Sequence, residues 1–145
     1  MIAIGCDHGG FALKQEVMRH LDELGLAYKD FGTYTSDSCD YPIFARAAAE
    51  QVASGQCERG IVLCTTGIGV SMVANKVKGV RCALCRDLLS AQLTRQHNNA
   101  NMLALAGGFT GNFEAEHIVD AFLTTEFEGG RHQRRVGLVM DIEQG

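Results

Sequence analysis

Short runs of aliphatic residues alternate with amphipathic helical stripes from one end of this chain to the other. Residues 1–5, Met-Ile-Ala-Ile-Gly, read as a strand; Leu13, Val17, Leu21 and Leu24 then recur along one helical face until Gly25 stops it. A weaker strand over 27–31 and a polar loop over 33–40 lead to a helix over 42–54. Its first residue is the only proline, Pro42, placed where a missing N–H is harmless, and Gly55 ends it. Ile61, Val62 and Leu63 mark a third strand over 60–64, which breaks into Thr65-Thr66-Gly67-Ile68-Gly69 and a helix running to residue 76. Strands over 80–85 and 102–106 flank a helix over 87–97. A helix over 112–123 places Ile118 and Phe122 on one face, and a last helix over about 131–143 carries Val136, Val139 and Met140 at helical spacing.

Such alternation folds with parallel strands, right-handed crossovers and helices on both faces. The expected fold class is α/β: a three-layer α/β/α, Rossmann-like sandwich with a mostly parallel sheet of about five strands. The 145 residues are 46% hydrophobic, enough to bury a core, and no repeat or linker divides them. Residues 1–145 are therefore expected to form a single domain. In open sheets of this kind ligands sit at the carboxyl ends of the strands. The first and third strands end in the two most polar, glycine-rich turns, Cys6-Asp7-His8-Gly9-Gly10 and Cys64-Thr65-Thr66-Gly67-Ile68-Gly69, and both should face one crevice.

The net charge of −4 disfavours a nucleic-acid or anionic-membrane partner. No run of 18 apolar residues offers a membrane span, and the N-terminus lacks the basic region and cleavage site of a signal peptide. The expected compartment is the cytoplasm. There the six cysteines are expected as free thiols. Cys82 and Cys85 have the spacing of a CxxC, but an odd spacing in a strand sends the side chains to opposite faces, so neither a zinc site nor a redox pair is expected.

The turn after Cys64 opens a helix, where glycines admit a ligand close to the backbone and free N–H groups attract anions. It reads as a phosphate or oxyanion cradle, or simply as a tight turn. It is not a P-loop, since no GxxxxGK[ST] string exists, nor a dinucleotide fingerprint, since Met72 stands where a small residue is needed. Cys64 itself is either an inert core thiol or, at a helix start, a base or nucleophile. Asp7 and His8 could handle hydroxyls or a phosphate, or cap the next helix. The amide-rich stretch His97-Asn98-Asn99-Ala100-Asn101 makes turns, or presents an imidazole for acid–base work. Arg131 and Arg135, four apart in Arg131-His132-Gln133-Arg134-Arg135, share a helical face that is either solvated or a two-pronged phosphate grip.

Taken together, these strings resemble the ribose-5-phosphate isomerase B family, with its allose- and galactose-6-phosphate isomerase relatives. Gly5-Cys6-Asp7-His8, Asp40-Tyr41-Pro42, Cys64 to Gly69, Ala74-Asn75-Lys76, Arg95-Gln96-His97-Asn98 and Arg131 to Arg135 fall in the family's order along almost the whole chain. The resemblance implies an aldose–ketose isomerase without metal or other cofactor, acting on a phosphorylated sugar. It implies a homodimer or tetramer whose active site lies between subunits, with the C-terminal helix packing at that interface. Cys64 would be the base that moves a proton between C1 and C2, Thr66 would hold a substrate oxygen, and His97 would open the sugar ring. Asp7 would bind hydroxyls; His8, Arg131 and Arg135 would bind the phosphate; Asn98 and the backbone of Thr65, Gly67, Ile68 and Gly69 would hold the enediolate. Tyr41 falls among the substrate-binding positions. One branch of the family has serine in place of the cysteine and a glutamate six residues later; Cys64 and Val70 place this chain in the cysteine branch. Thr65 stands where glycine is usual, and Gly108 where many relatives carry a phosphate-contacting arginine.

Ribose 5-phosphate is the expected substrate, with allose 6-phosphate the alternative within the family. Outside it, a non-catalytic sugar-phosphate sensor would bind without turnover, and a thiol redox protein would form a reversible disulfide.

Overall fold

The computed structural model describes residues 1–145. In chain order its elements are β1 (Ile2–Cys6), α1 (Phe11–Glu23), β2 (Tyr28–Asp30), α2 (Tyr41–Ala53), β3 (Arg59–Cys64), α3 (Ile68–Asn75), β4 (Cys82–Leu84), α4 (Leu88–Asn98), β5 (Met102–Ala106), α5 (Asn112–Thr124) and α6 (Arg131–Asp141). The five strands form one wholly parallel sheet in the order β2-β1-β3-β5-β4. The expected α/β sandwich is therefore what the chain adopts.

Alternate strand residues feed two separate cores, as the two-residue period of a strand requires. On one face Ile4, Cys6, Ile61, Leu63, Leu103 and Leu105 pack against Leu13, Val17 and Leu21 of α1 and Ile118, Val119 and Phe122 of α5. On the other, Ala3, Val62, Cys64, Met102 and Ala104 meet Ala45, Ala48, Ala49 and Val52 of α2 and Val70 and Ala74 of α3. Small residues on this second face let α2 approach closely: a Cβ added to Gly5 would lie 2.8 Å from the Phe44 carbonyl oxygen.

The edge strands are shorter than the sequence predicts. The fourth strand, expected over 80–85, is confined to Cys82–Leu84. Val80 N–H turns back to Val77 O, and Arg81 N–H is taken by Asn101 Oδ1, so the chain before Cys82 is committed to a turn. The second, expected over 27–31, is confined to Tyr28–Asp30. Cys82 and Cys85 do fall on opposite faces, Cys85 in the first core and Cys82 against the second. All six cysteines are free, and burial pushes the Cys85 thiol up to about 11 and Cys82 higher still.

Lys14, on α1, is fully buried. Its ammonium bonds Asp30 Oδ1 at 2.6 Å and Thr33 O at 2.5 Å, which ties α1 to the loop beyond β2 and offsets the cost of burying a charge. No helix is long and apolar enough to cross a membrane.

Candidate active site

At the carboxyl edge of the sheet the turns after β1, β3 and β5 interlock. Asp7 Oδ1 accepts from the N–H groups of Gly9 at 2.9 Å and Gly10 at 3.2 Å, so the capping role is real. Its other oxygen makes no hydrogen bond. His8 is exposed, and its Nδ1 accepts from Cys39 N–H at 3.2 Å, which leaves Nε2 free to point at a ligand. A Cβ on Gly9 would lie 2.0 Å from Thr65 Oγ1, and one on Gly10 2.6 Å from the Leu63 main chain. Only glycine lets the two turns touch. The β5 turn joins them through Gly107 N–H to Cys64 O at 2.8 Å and Gly108 N–H to Thr65 O at 2.9 Å.

Cys64 ends β3 with its side chain almost buried, at 6% exposure. Gly67 N–H donates to its sulfur at 3.2 Å, a bond that a charged sulfur accepts more strongly than a neutral one. Gly67 has φ +74°, a left-handed conformation that suits glycine, and Ile68 N–H is held by Thr66 Oγ1 at 3.2 Å. Gly69 and Val70, in the first turn of α3, direct N–H groups that find no acceptor in the chain. The Tyr41 ring lies over Gly69, where a Cβ would meet it at 2.7 Å. The result is a cysteine beside a row of donors, roofed by a phenol: an arrangement suited to a developing oxyanion.

The other sequence-derived residues are not here. Helix α4 runs back along the sheet, so His97 and Asn98 lie just before β5, which starts at Met102 opposite Gly60. Cys64 is opposite Ala106, at the far end of the same ladder. Four residue steps at about 3.3 Å put the two edges roughly 13 Å apart before any loop is counted. At this amino edge His97, Asn98 and Arg135 line one hollow with Arg81, Val136 and Met140. Arg95, buried, bonds Asn99 Oδ1, Ala100 O and Thr125 O and so pins the loop that follows His97. Asn99 takes the left-handed cap (φ +46°), while Asn98 Oδ1 accepts from Thr94. Arg131 and Arg135 are exposed on α6 and make no ion pair.

Two residues here escaped the sequence reading. His132 stacks on His97, with ring centroids 4.4 Å apart and planes at 13°. Glu128 Oε1 lies 3.5 Å from His132 Nε2 and 3.9 Å from His97 Nε2. Burial first, then His97 and Arg131, hold the His132 imidazole below its ordinary value. Glu128 and His132 are four residues apart, but only the juxtaposition of α4 with α6 brings His97 to them, and no spacing along the chain announces that meeting. The three could offer metal ligands. However, an ion must lie in the plane of each imidazole that binds it, and two face-to-face rings share no such point at bonding distance. The second cluster of this kind, His20 with Glu23 and Glu116, instead ties α1 to α5, aided by His20 Nε2 to Asp120 Oδ1 at 2.6 Å.

Comparison with known proteins gives a consistent result. Residues 2–139 match the Ribose/Galactose Isomerase family. The chain is 48% identical over 143 residues to ribose-5-phosphate isomerase B of Escherichia coli (strain K12), covering 99% of this chain and 96% of that one. Among solved structures, ribose-5-phosphate isomerase B of Clostridium thermocellum superposes with a TM-score of 0.97 at 49% identity, over 99% of this chain and 97% of that one. The Mycoplasma genitalium enzyme with bound ribulose-5-phosphate gives 0.95 at 43% identity, over 99% and 95%.

Proposed function

The chain belongs to the ribose/galactose isomerase family and is an aldose–ketose isomerase, and we propose that it interconverts ribose 5-phosphate and ribulose 5-phosphate through a cis-enediolate, without a metal. The observation that carries this reading is Cys64 set at the rim of the donor row formed by the 64–69 turn and the start of α3. The named substrates of its relatives point to the five-carbon sugar.

His97 protonates the ring oxygen of the bound furanose as the C1 hydroxyl loses its proton, which opens the ring to the aldehyde. The Cys64 thiolate then takes the proton from C2. A carbon acid of this kind is too weak for a base alone; the free N–H groups beside Gly69, with Thr66 Oγ1 and the Asn98 amide, stabilise the enediolate oxygens. Transfer of the hydroxyl proton from O2 to O1 and return of the carbon-bound proton to C1 give the ketose, so no hydride acceptor is required. Asp7 and Tyr41 hold the sugar, and His8, Arg131 and Arg135 hold the phosphate.

Because Cys64 and His97 occupy opposite sheet edges of one chain, a complete site takes the Cys64 edge of one copy and the His97 edge of another. Exposed Ile43, Ile68 and Met72 beside the first edge, and Leu138, Val139 and Ile142 beside the second, provide apolar surface for that contact.

The test is turnover of ribose 5-phosphate by the purified protein in EDTA, beside allose 6-phosphate and a Cys64→Ala variant. Turnover is expected in EDTA with a preference for ribose 5-phosphate. Cys64→Ala should lose about 10²- to 10⁴-fold in kcat while keeping affinity for phosphate. Near-normal turnover by Cys64→Ala would remove the base assignment, and loss of activity in EDTA the metal-free one. Preference for allose 6-phosphate would move the protein to the six-carbon branch.

A further inference from the structure

Arg86 lies in the short link between β4 and α4, on the same carboxyl edge as Cys64. Both its neighbours are fixed. Cys85 N–H bonds Ala104 O at 3.2 Å, continuing the ladder, and Asp87 Oδ1 accepts from Ser90 N–H at 2.6 Å as the cap of α4. The Arg86 guanidinium sits 5.2 Å over the Phe109 ring and makes no hydrogen bond and no ion pair. Phe109 follows Gly108, which bonds Thr65, and Leu84, two residues before Arg86, packs 2.5 Å from where a Gly67 Cβ would be. The Arg86 link thus adjoins the 64–69 turn on its β5 side. The other cations near this edge are committed: Lys14 to Asp30 and Thr33, and Arg46 to Glu50.

We propose that Arg86 binds the substrate's phosphate in the Cys64 crevice, an inference that rests on the isomerase reading above. The cation–π contact with Phe109 holds the guanidinium near the ring without using any of its N–H donors, so the fork remains available to meet two phosphate oxygens at once. Phe109 is 59% exposed, so its ring serves as a platform at the surface and not as core. The β5 turn cannot itself supply a cation: a Cβ at Gly108 would lie 2.9 Å from Thr65 Cγ2 and 3.1 Å from Thr65 O. The Thr65 methyl occupies that space, and the positive charge reaches the crevice from the β4 side.

The experiment measures kcat and KM for ribose 5-phosphate, and the dissociation constant of inorganic phosphate by calorimetry, for the wild type, Arg86→Ala and Arg86→Lys. Arg86 is exposed, so the variants should fold, and circular dichroism checks it. Arg86→Ala is expected to raise KM and weaken phosphate binding about tenfold each, with kcat within about twofold, and Arg86→Lys to recover part of both. Unchanged KM and phosphate affinity would overturn the assignment. So would a fall in kcat alone, which would place Arg86 in the chemistry or in loop packing. If the wild type turns over no sugar phosphate, the isomerase reading fails, while the phosphate titration still reads Arg86 separately.

Discussion

His132 is held below its ordinary imidazole value of 6.5 chiefly by burial, with His97 and Arg131 adding repulsion. The fold therefore favours the neutral ring. Between the folded value and 6.5 the unfolded chain binds more protons than the native one, so stability rises with pH across that window. The contribution is complete above about 6.5 and is lost as pH falls toward the folded value. Urea midpoints taken from pH 7.5 to 5 at one protein concentration should fall on acidification, and His132→Gln should flatten the fall. An unchanged slope would show that other groups carry it. Cys64 and Asp7 could be singled out in the sequence because a strand's end followed by glycines is a local signal. His132, Glu128 and Arg86 could not, because each acquires its role from a neighbour far away in the chain: His97 and Phe109.

The 64–69 turn depends on backbone shape more than on any side chain. An alanine at Gly67 would force a Cβ into φ +74° and within 2.5 Å of Leu84 Cδ1 and 3.0 Å of the Leu105 carbonyl carbon. Gly67→Ala should cost roughly 1–3 kcal/mol and also lower kcat, since the donors of α3 move with the turn. Gly55→Ala, at φ +82° but with open space around it, is the control. It should lower Tm modestly and leave turnover alone. A Gly67→Ala protein with normal kcat would show that the donor row tolerates displacement. Helix and central-strand positions were legible because periodicity and glycine stops are local. The edge strands β2 and β4 are shorter than the sequence predicts, because an edge strand has one partner and its flanks are claimed by turns.

At the scale of the whole molecule Cys64 and His97 lie at opposite ends of one sheet, and the proposed site shared between copies predicts complementation. Cys64→Ala and His97→Ala chains, each inactive alone, should regain activity when mixed and allowed to exchange subunits. In a dimer with two shared sites, full exchange makes half the molecules mixed, each with one intact site, so about a quarter of wild-type activity is expected. No recovery despite exchange, followed by mass spectrometry of labelled chains, would require both groups to act within one chain. The exposed apolar side chains beside each edge are where that contact is expected to form.

The order of strands and helices, the parallel sheet and the two glycine-rich turns were determined by sequence alone, through periodicity, glycine placement and the handedness of β-α-β crossovers. The resemblance carried by Asp7-His8, Cys64 to Gly69, His97-Asn98 and Arg131 to Arg135 identified the family, which residues 2–139 match. Tertiary structure alone decided which of these residues meet. Helix α4 returns its C-terminus to the amino edge, so His97 parts from Cys64, joins Asn98 and Arg135, and finds His132 and Glu128. The physical reason is that side-chain chemistry is local but proximity is not: it follows from where packing sends each helix end.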